Sequence, residues 1–301
     1  MLTAIVRLAG HPDLAGAGHN TRMDRPPRIA LELAYLGGAF AGWQRQPDAR
    51  TVQGELERAL EDLYRRPVRA VGAGRTDAGV HAAAQVAHFE PPLAIPRTGI
   101  VRALNGALPK EVRVLRAWSV PPSFDARASA TGKRYRYRLA WMRTLPPWEA
   151  LRRLAVPFPL DPAAIAAASA SILGEHDFAA FALAGHAGHG RRGTVRTVTG
   201  ARVRGRGCRL DIVVEGDGFL RGMVRRIAGA LIEVGRGAQP PGWFAALVRE
   251  PATRPPAPTA AARAHPRTRV LPPISTFSVS LRRCPEPAGS PAGCVLDFDG
   301  P

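Results

Sequence analysis

Lysine is nearly missing from this chain of 301 residues: Lys110 and Lys133 are the only two, so 40 of its 42 basic residues are arginine. Acidic residues are few as well, 24 in all, which leaves a formal net charge of +18. The three cysteines (Cys208, Cys284 and Cys294) are an odd number with no metal-ligand spacing. That argues against a disulfide framework and a cysteine-held metal, and it fits a reducing, cytoplasmic setting. No run of about 18 apolar residues occurs, so no transmembrane helix is expected. Leu2–Ala9 is too short for a secretory leader and is broken by Arg7. The phosphate-binding Gly-Lys-Ser/Thr is absent too, which counts against a nucleotide-dependent enzyme.

What is abundant is arginine. Together with many Ala, Gly and Pro, part of that excess reflects a GC-rich genome. The planar guanidinium nevertheless binds phosphate bidentately and stacks on bases. In a chain whose 46% hydrophobic content suffices for a core, such an excess points to nucleic acid rather than to a membrane.

Glycine is concentrated where chemistry is plausible. Val71-Gly72-Ala73-Gly74-Arg75-Thr76-Asp77-Ala78-Gly79-Val80-His81 sets one arginine and one carboxylate in a tight bend between two apolar runs, 67–71 and 85–89. Three readings stay open on the loop alone. Asp77 caps a turn while Arg75 is solvated; the glycines cradle a phosphate, against the wrong spacing; or Asp77 is a catalytic carboxylate kept charged by a nearby arginine.

The rest of the chain reads as α+β. Arg28–Tyr35 alternates strictly as a half-buried strand. A Gly-rich loop with Trp43, Arg45 and Gln46 follows, either a plain surface loop or one that grips RNA backbone. Thr51 caps a helix running to Arg65, with Val52, Leu56, Leu60 and Leu63 on one face. A second helix near 100–108 and a strand at 112–118 complete an antiparallel α+β half. In 133–141, Tyr135, Tyr137, Leu139 and Trp141 point one way and Arg134, Arg136 and Arg138 the other. The tyrosines suit a core, and the arginines suit either solvent or RNA phosphates. Asp161-Pro162 opens a helix to Ile172. Strands are expected at 194–204 and 208–215, then a helix over 218–235 with Met223, Ile227 and Leu231 in its buried stripe. Arg225 lies beside that stripe, within reach of a neighbouring cleft. His176, His186 and His189 match no metal site.

These motifs, in this order, resemble the tRNA pseudouridine synthase A family. Tyr35 with Gly42-Trp43-Gln44-Arg45-Gln46 is similar to its first-strand loop, and Ala73–His81 to its catalytic loop. Asn105 with Leu108-Pro109, Phe124-Asp125-Ala126-Arg127, Ala130–Tyr137 and Met223-Val224-Arg225 follow in register. The resemblance implies two α/β domains with largely antiparallel sheets, the pseudouridine synthase fold, flanking a basic cleft. It implies that Asp77 is the nucleophile, Arg225 its ion-pair partner, Tyr135 the ring on which uracil lies, and Arg75 the side chain that displaces the target base. Arg45, Gln46, Arg127, Arg134 and Arg136 become RNA-binding candidates.

No cofactor or metal is implied. The implied partner is the tRNA anticodon stem-loop, modified at positions 38, 39 and 40 by a homodimer with no membrane attachment. The alternative is a catalytically impaired RNA-binding protein of the same fold. Two positions depart from the family pattern: Arg226 replaces an asparagine, and Arg221-Gly222 stands where histidines are frequent. The expected layout is a disordered extension or mis-assigned start over 1–27 (Met23 reading as the start), an N-terminal domain over 28–124 and a C-terminal domain over 125–258. A divergent Pro- and Arg-rich tail follows over 259–301, with a possible strand at 274–281. Its composition is what a shifted reading frame would produce, and it lacks the family's last strand.

Overall fold

The computed structural model describes residues 2–8, 26–183, 192–251 and 256–260. Its first half runs β1 (Leu2–Leu8), β2 (Arg28–Tyr35), α1 (Val52–Tyr64), β3 (Ala70–Gly72), β4 (His81–Phe89), α2 (Arg97–Ala107) and β5 (Val112–Val120). The second half runs β6 (Ala130–Trp141), α3 (Pro147–Ala150), β7 (Leu154–Val156), α4 (Pro162–Ser169) and β8 (Gly174–Asp177). It ends with β9 (Val195–Arg206), β10 (Arg209–Gly216), α5 (Met223–Gly235) and α6 (Pro241–Arg249). All the strands join one mostly antiparallel sheet in the order β5-β2-β4-β1-β6-β10-β9-β8, with β3 on β4 and β7 on β6.

Local chemistry sets the element ends. Thr51 accepts a hydrogen bond from the Gly54 amide at 3.2 Å and starts α1; Arg65, at φ 56°, turns left-handed and stops it. Asp161 caps α4 through the amides of Ala163 and Ala164. The helix expected from 218 begins only at Met223. Gly222 precedes it at φ 73°, where a Cβ would stand 2.6 Å from Leu183 Cγ, so the helix cannot extend backwards.

One sheet spans the described chain, and two large hydrophobic clusters and a small third one around Ala73, Val86 and Ala126 pack on it. The first joins β2, β4 and β5 to α1 and α2 through Leu31, Leu33, Leu56, Leu60 and Ile100. The second joins β6 and β10 to α4, α5 and α6 through Tyr137, Leu139, Ile212, Ile227 and Leu231. Each fully buried Leu or Ile contributes about 1.5–3 kcal/mol. The alternation of β6 sends its arginines to the side away from the helices. There they meet acidic partners on β10: Arg134 Nε lies 2.9 Å from Glu215, and Arg138 Nε 3.7 Å from Asp211.

The expectation of a disordered 1–27 fails for residues 2–8. β1 lies between β4 and β6, antiparallel to β6 (Leu2 opposite Tyr137) and parallel to β4 (Thr3 opposite His81). The physical reason is pairing: without β1, two central strands would present open edges to each other. Leu2 and Ala4 are buried beside the second core. Residues 9–25 with Met23, 184–191 with His186 and His189, and 261–301 with Cys284, Cys294 and the strand expected at 274–281 lie outside the described residues.

Candidate active site

The glycine loop is a rigid mount. Between β3 and β4, the Ala73 amide donates to Val86 O at 2.8 Å and the Gln85 side chain donates to Gly74 O at 2.8 Å. The Trp43 amide donates to Thr76 O at 3.0 Å, and Tyr35 Oη lies 2.9 Å from Thr76 Oγ1. Burial raises the Tyr35 phenol well above its usual range, so it is a neutral hydrogen-bonding group. The middle of the loop before Thr51 turns inward, while residues 44–48 stay exposed. Phe40 and Trp43 are buried, and Gly42, at φ 109°, brings its backbone so near that a Cβ would stand 2.6 Å from Thr76 O. Two loops read separately in the sequence thus form one support for Asp77.

Asp77 projects from this support to meet the first turn of α5. Arg225 Nη1 stands 3.7 Å from one carboxylate oxygen and Arg221 Nε 3.8 Å from the other. The two cations differ in surroundings: the Arg225 side chain is 22% exposed and that of Arg221 is 63% exposed. Tyr135, half-buried on the helix-facing side of β6, stacks edge-on against Phe219 at 5.1 Å. Burial and the nearby Asp77 carboxylate push its phenol up to about 12, so it is protonated throughout the neutral range. The structure therefore brings Asp77, Arg225 and Tyr135 together.

The segment just after α6 helps to hold Arg225. Its Nε donates to Ala260 O at 3.0 Å, while the Ala260 amide donates back to Arg225 O at 3.0 Å. Gly229 permits this approach, since a Cβ there would stand 2.2 Å from Pro258 O. The first residues of the divergent tail thus take part in the site. Arg226 turns elsewhere, donating to Ala180 O at 3.4 Å.

The remaining candidates are spread out. Arg75 is exposed beside Asp77 and forms no ion pair among the described residues. Arg127 is exposed, its amide bonded to Asp125. Arg45 lies 3.3 Å from Glu57, and Gln46 donates to Ala41 O. Arg134 and Arg136 are on the opposite face of the sheet from Tyr135.

Two cationic neighbours escaped the sequence reading. In sequence Arg221 lies with Arg225 and Arg226 beside the stripe of α5 and departs from the family pattern, but neither feature assigns it to Asp77. Lys133 shares the helix-facing side of β6 with Tyr135, and a Cβ on Gly74 would stand 3.1 Å from its Nζ. Burial, then Arg127 and Arg196, hold the Lys133 ammonium below the usual lysine range. Its signal was its place two residues before Tyr135 and its rarity in an arginine-rich chain.

Among the described residues no group of three His, Cys, Asp or Glu side chains is placed to hold a metal, and no helix is long and apolar enough to cross a membrane. What the arrangement offers is a partly exposed carboxylate between two guanidinia, a flat aromatic face and a basic surround. That set can attack an electron-poor carbon and hold a detached planar base.

Comparisons with known proteins agree with this chemistry. A family profile described as tRNA pseudouridine synthase matches residues 33–127 and 168–270. The tRNA pseudouridine synthase A of Frankia casuarinae is 46% identical over 247 residues, covering 75% of this chain and 83% of the relative. That of Myxococcus xanthus is 43% identical over 236 residues, covering 78% and 88%. The tRNA pseudouridine synthase A 1 of Desulfotalea psychrophila is 40% identical over 238 residues, covering 78% and 95%.

Proposed function

The chain belongs to the tRNA pseudouridine synthase family, and on that premise we propose that it isomerises uridine to pseudouridine at positions 38, 39 and 40 of the tRNA anticodon stem-loop. The observation that carries this reading is Asp77 held between Arg225 and Arg221 beside Tyr135.

The target uridine first leaves its stack, at a cost of a few kcal/mol, and Arg75 stands at the mouth of the site to take its place. Asp77 acts as the nucleophile. Its carboxylate bonds to C1′ as the N1–C1′ bond breaks, the freed uracil turns against the Tyr135 ring, C5 bonds to C1′ as the Asp77–C1′ bond breaks, and the C5 proton is lost as N1 gains one. Product and substrate have the same composition, so the reaction balances without an oxidant, a reductant or a second substrate. Arg225 orients the carboxylate from a mostly buried position, and Arg221 does so from an exposed one. Lys133 and Arg127 add positive charge where phosphates must approach.

In this reading 28–124 supplies the catalytic loop and 125–258 supplies Tyr135 and the two arginines. A homodimer would let one tRNA touch both copies, and a bacterial cytoplasm is the natural setting. No observation favours an impaired RNA binder, because Asp77, Tyr135 and Arg225 are all present and assembled. The test is mapping pseudouridine by carbodiimide adducts and primer extension on a tRNA transcript with uridine at all three positions. Adducts confined to 38–40 support the assignment. Adducts elsewhere, or none, overturn it.

A further inference from the structure

The face of the sheet away from the helices holds a second basic concavity of about 340 Å3. Lys110, Arg113, Arg138 and Arg152 line it against a single carboxylate, Glu111. Among the described residues the four cations of this lining outnumber its carboxylates. Arg138 shares Asp211 with Arg153, at 3.7 and 2.9 Å, and Arg113 bonds only to the neutral carbonyls of Pro109 and Val112 among the described residues. Lys110 and Arg152 are exposed and form no ion pair among the described residues. His81 lines the same cavity. It is 8% exposed, and its Nε2 has no hydrogen-bond partner among the described residues. A buried polar atom free to pair, beside converging cations, is suited to an anionic ligand.

We infer that this cavity binds a phosphodiester of the RNA chain, on the side of the sheet opposite Tyr135. The identity of the ligand follows from charge and reach. Four cations suit a group that is fully ionised at neutral pH and offers several acceptor oxygens. His81 ends the loop that carries Asp77, only four residues on, so the cavity lies within about 14 Å of chain from the carboxylate. An RNA seated at Asp77 reaches that far within a few nucleotides. Arg136, opposite Thr3 on this face, continues the basic track. The inference rests on the RNA-modifying reading but concerns a separate surface.

The experiment compares wild type with a Lys110→Ala/Arg152→Ala double variant, both changes being at exposed positions. Binding of a fluorescent anticodon stem-loop is measured by anisotropy across a salt series, with tritium release from C5-labelled uridine as the check on activity. The expected result is several-fold weaker binding by the variant, with a salt slope smaller by about 1–2, one for each lost phosphate contact. Inorganic phosphate, followed through the His81 ring resonances, is the second probe; shifts in wild type that vanish in the variant support the site. Wild-type tritium release with an unchanged slope in the variant overturns the inference while leaving the isomerase reading intact. Phosphate shifts at His81 without any change in RNA binding also overturn it, because the site then serves a free anion.

Discussion

Arg225 and Arg221 approach different oxygens of Asp77, and their exposures rank them. Arg225 is mostly buried and tied to Ala260, so its orientation is fixed before substrate arrives. Replacing it with alanine should lower the single-turnover rate by about 100-fold, the scale of losing one preorganised electrostatic partner. Arg221 is largely in solvent, where screening weakens an ion pair. Arg221→Ala should cost less than about tenfold, and equal losses in the two variants would contradict the ranking. His81 makes a second prediction at this scale. Burial, with Arg138 and Arg152 adding, lowers its imidazole from 6.5 to about 4. As pH falls below 6.5 the unfolded chain takes up a proton that the folded chain refuses. Stability is therefore full above pH 6.5 and declines toward pH 4, by about 3 kcal/mol in all. Urea denaturation of phosphate-free protein at pH 7 and pH 5 should show this loss, and His81→Gln should reduce it, the rest including a share from His88, whose imidazole burial also lowers. A pH-independent midpoint in the wild type would count against the buried imidazole.

β1 joins the two halves of the sheet, so a break there should be felt throughout the fold. Ala4→Pro removes an amide from a strand paired on both sides and should cost about 2–4 kcal/mol. Unchanged thermal stability in that variant would mean that the strand is dispensable. The history of β1 also shows where sequence reading stops. β2 was legible because Ile29, Leu31, Leu33 and Tyr35 alternate strictly, and α1 because Thr51 and its apolar stripe mark one end and one face. Leu2–Leu8 carries no turn signal or polar alternation, and its partners lie far along the chain at His81 and Tyr137. Nothing local could reveal it. α5 begins at Met223 rather than at 218 for a similar reason, since Gly222 is left-handed and Leu183, from another segment, lies where a Cβ there would stand. Asp77, Tyr135 and Arg225 stand in motifs the sequence offers; the half-buried Lys133 offers only its rarity and its place before Tyr135, because its packing over Gly74 is set by the fold.

At the scale of the whole molecule the net charge of +18 governs binding, while the small site between β4 and α5 governs chemistry. Non-specific phosphate contacts should dominate affinity, so the anticodon stem-loop and a scrambled stem-loop of equal length should show similar, steeply negative salt slopes. Salt-insensitive binding of either RNA would contradict an electrostatic track. The central claim is that Asp77 performs an isomerisation at C5 of uridine. It is tested most directly by tritium release from C5-labelled uridine in an anticodon stem-loop, comparing wild type with Asp77→Asn. The account predicts stoichiometric release by the wild type and none by the variant, with RNA binding retained in both. Release that survives in Asp77→Asn would contradict it.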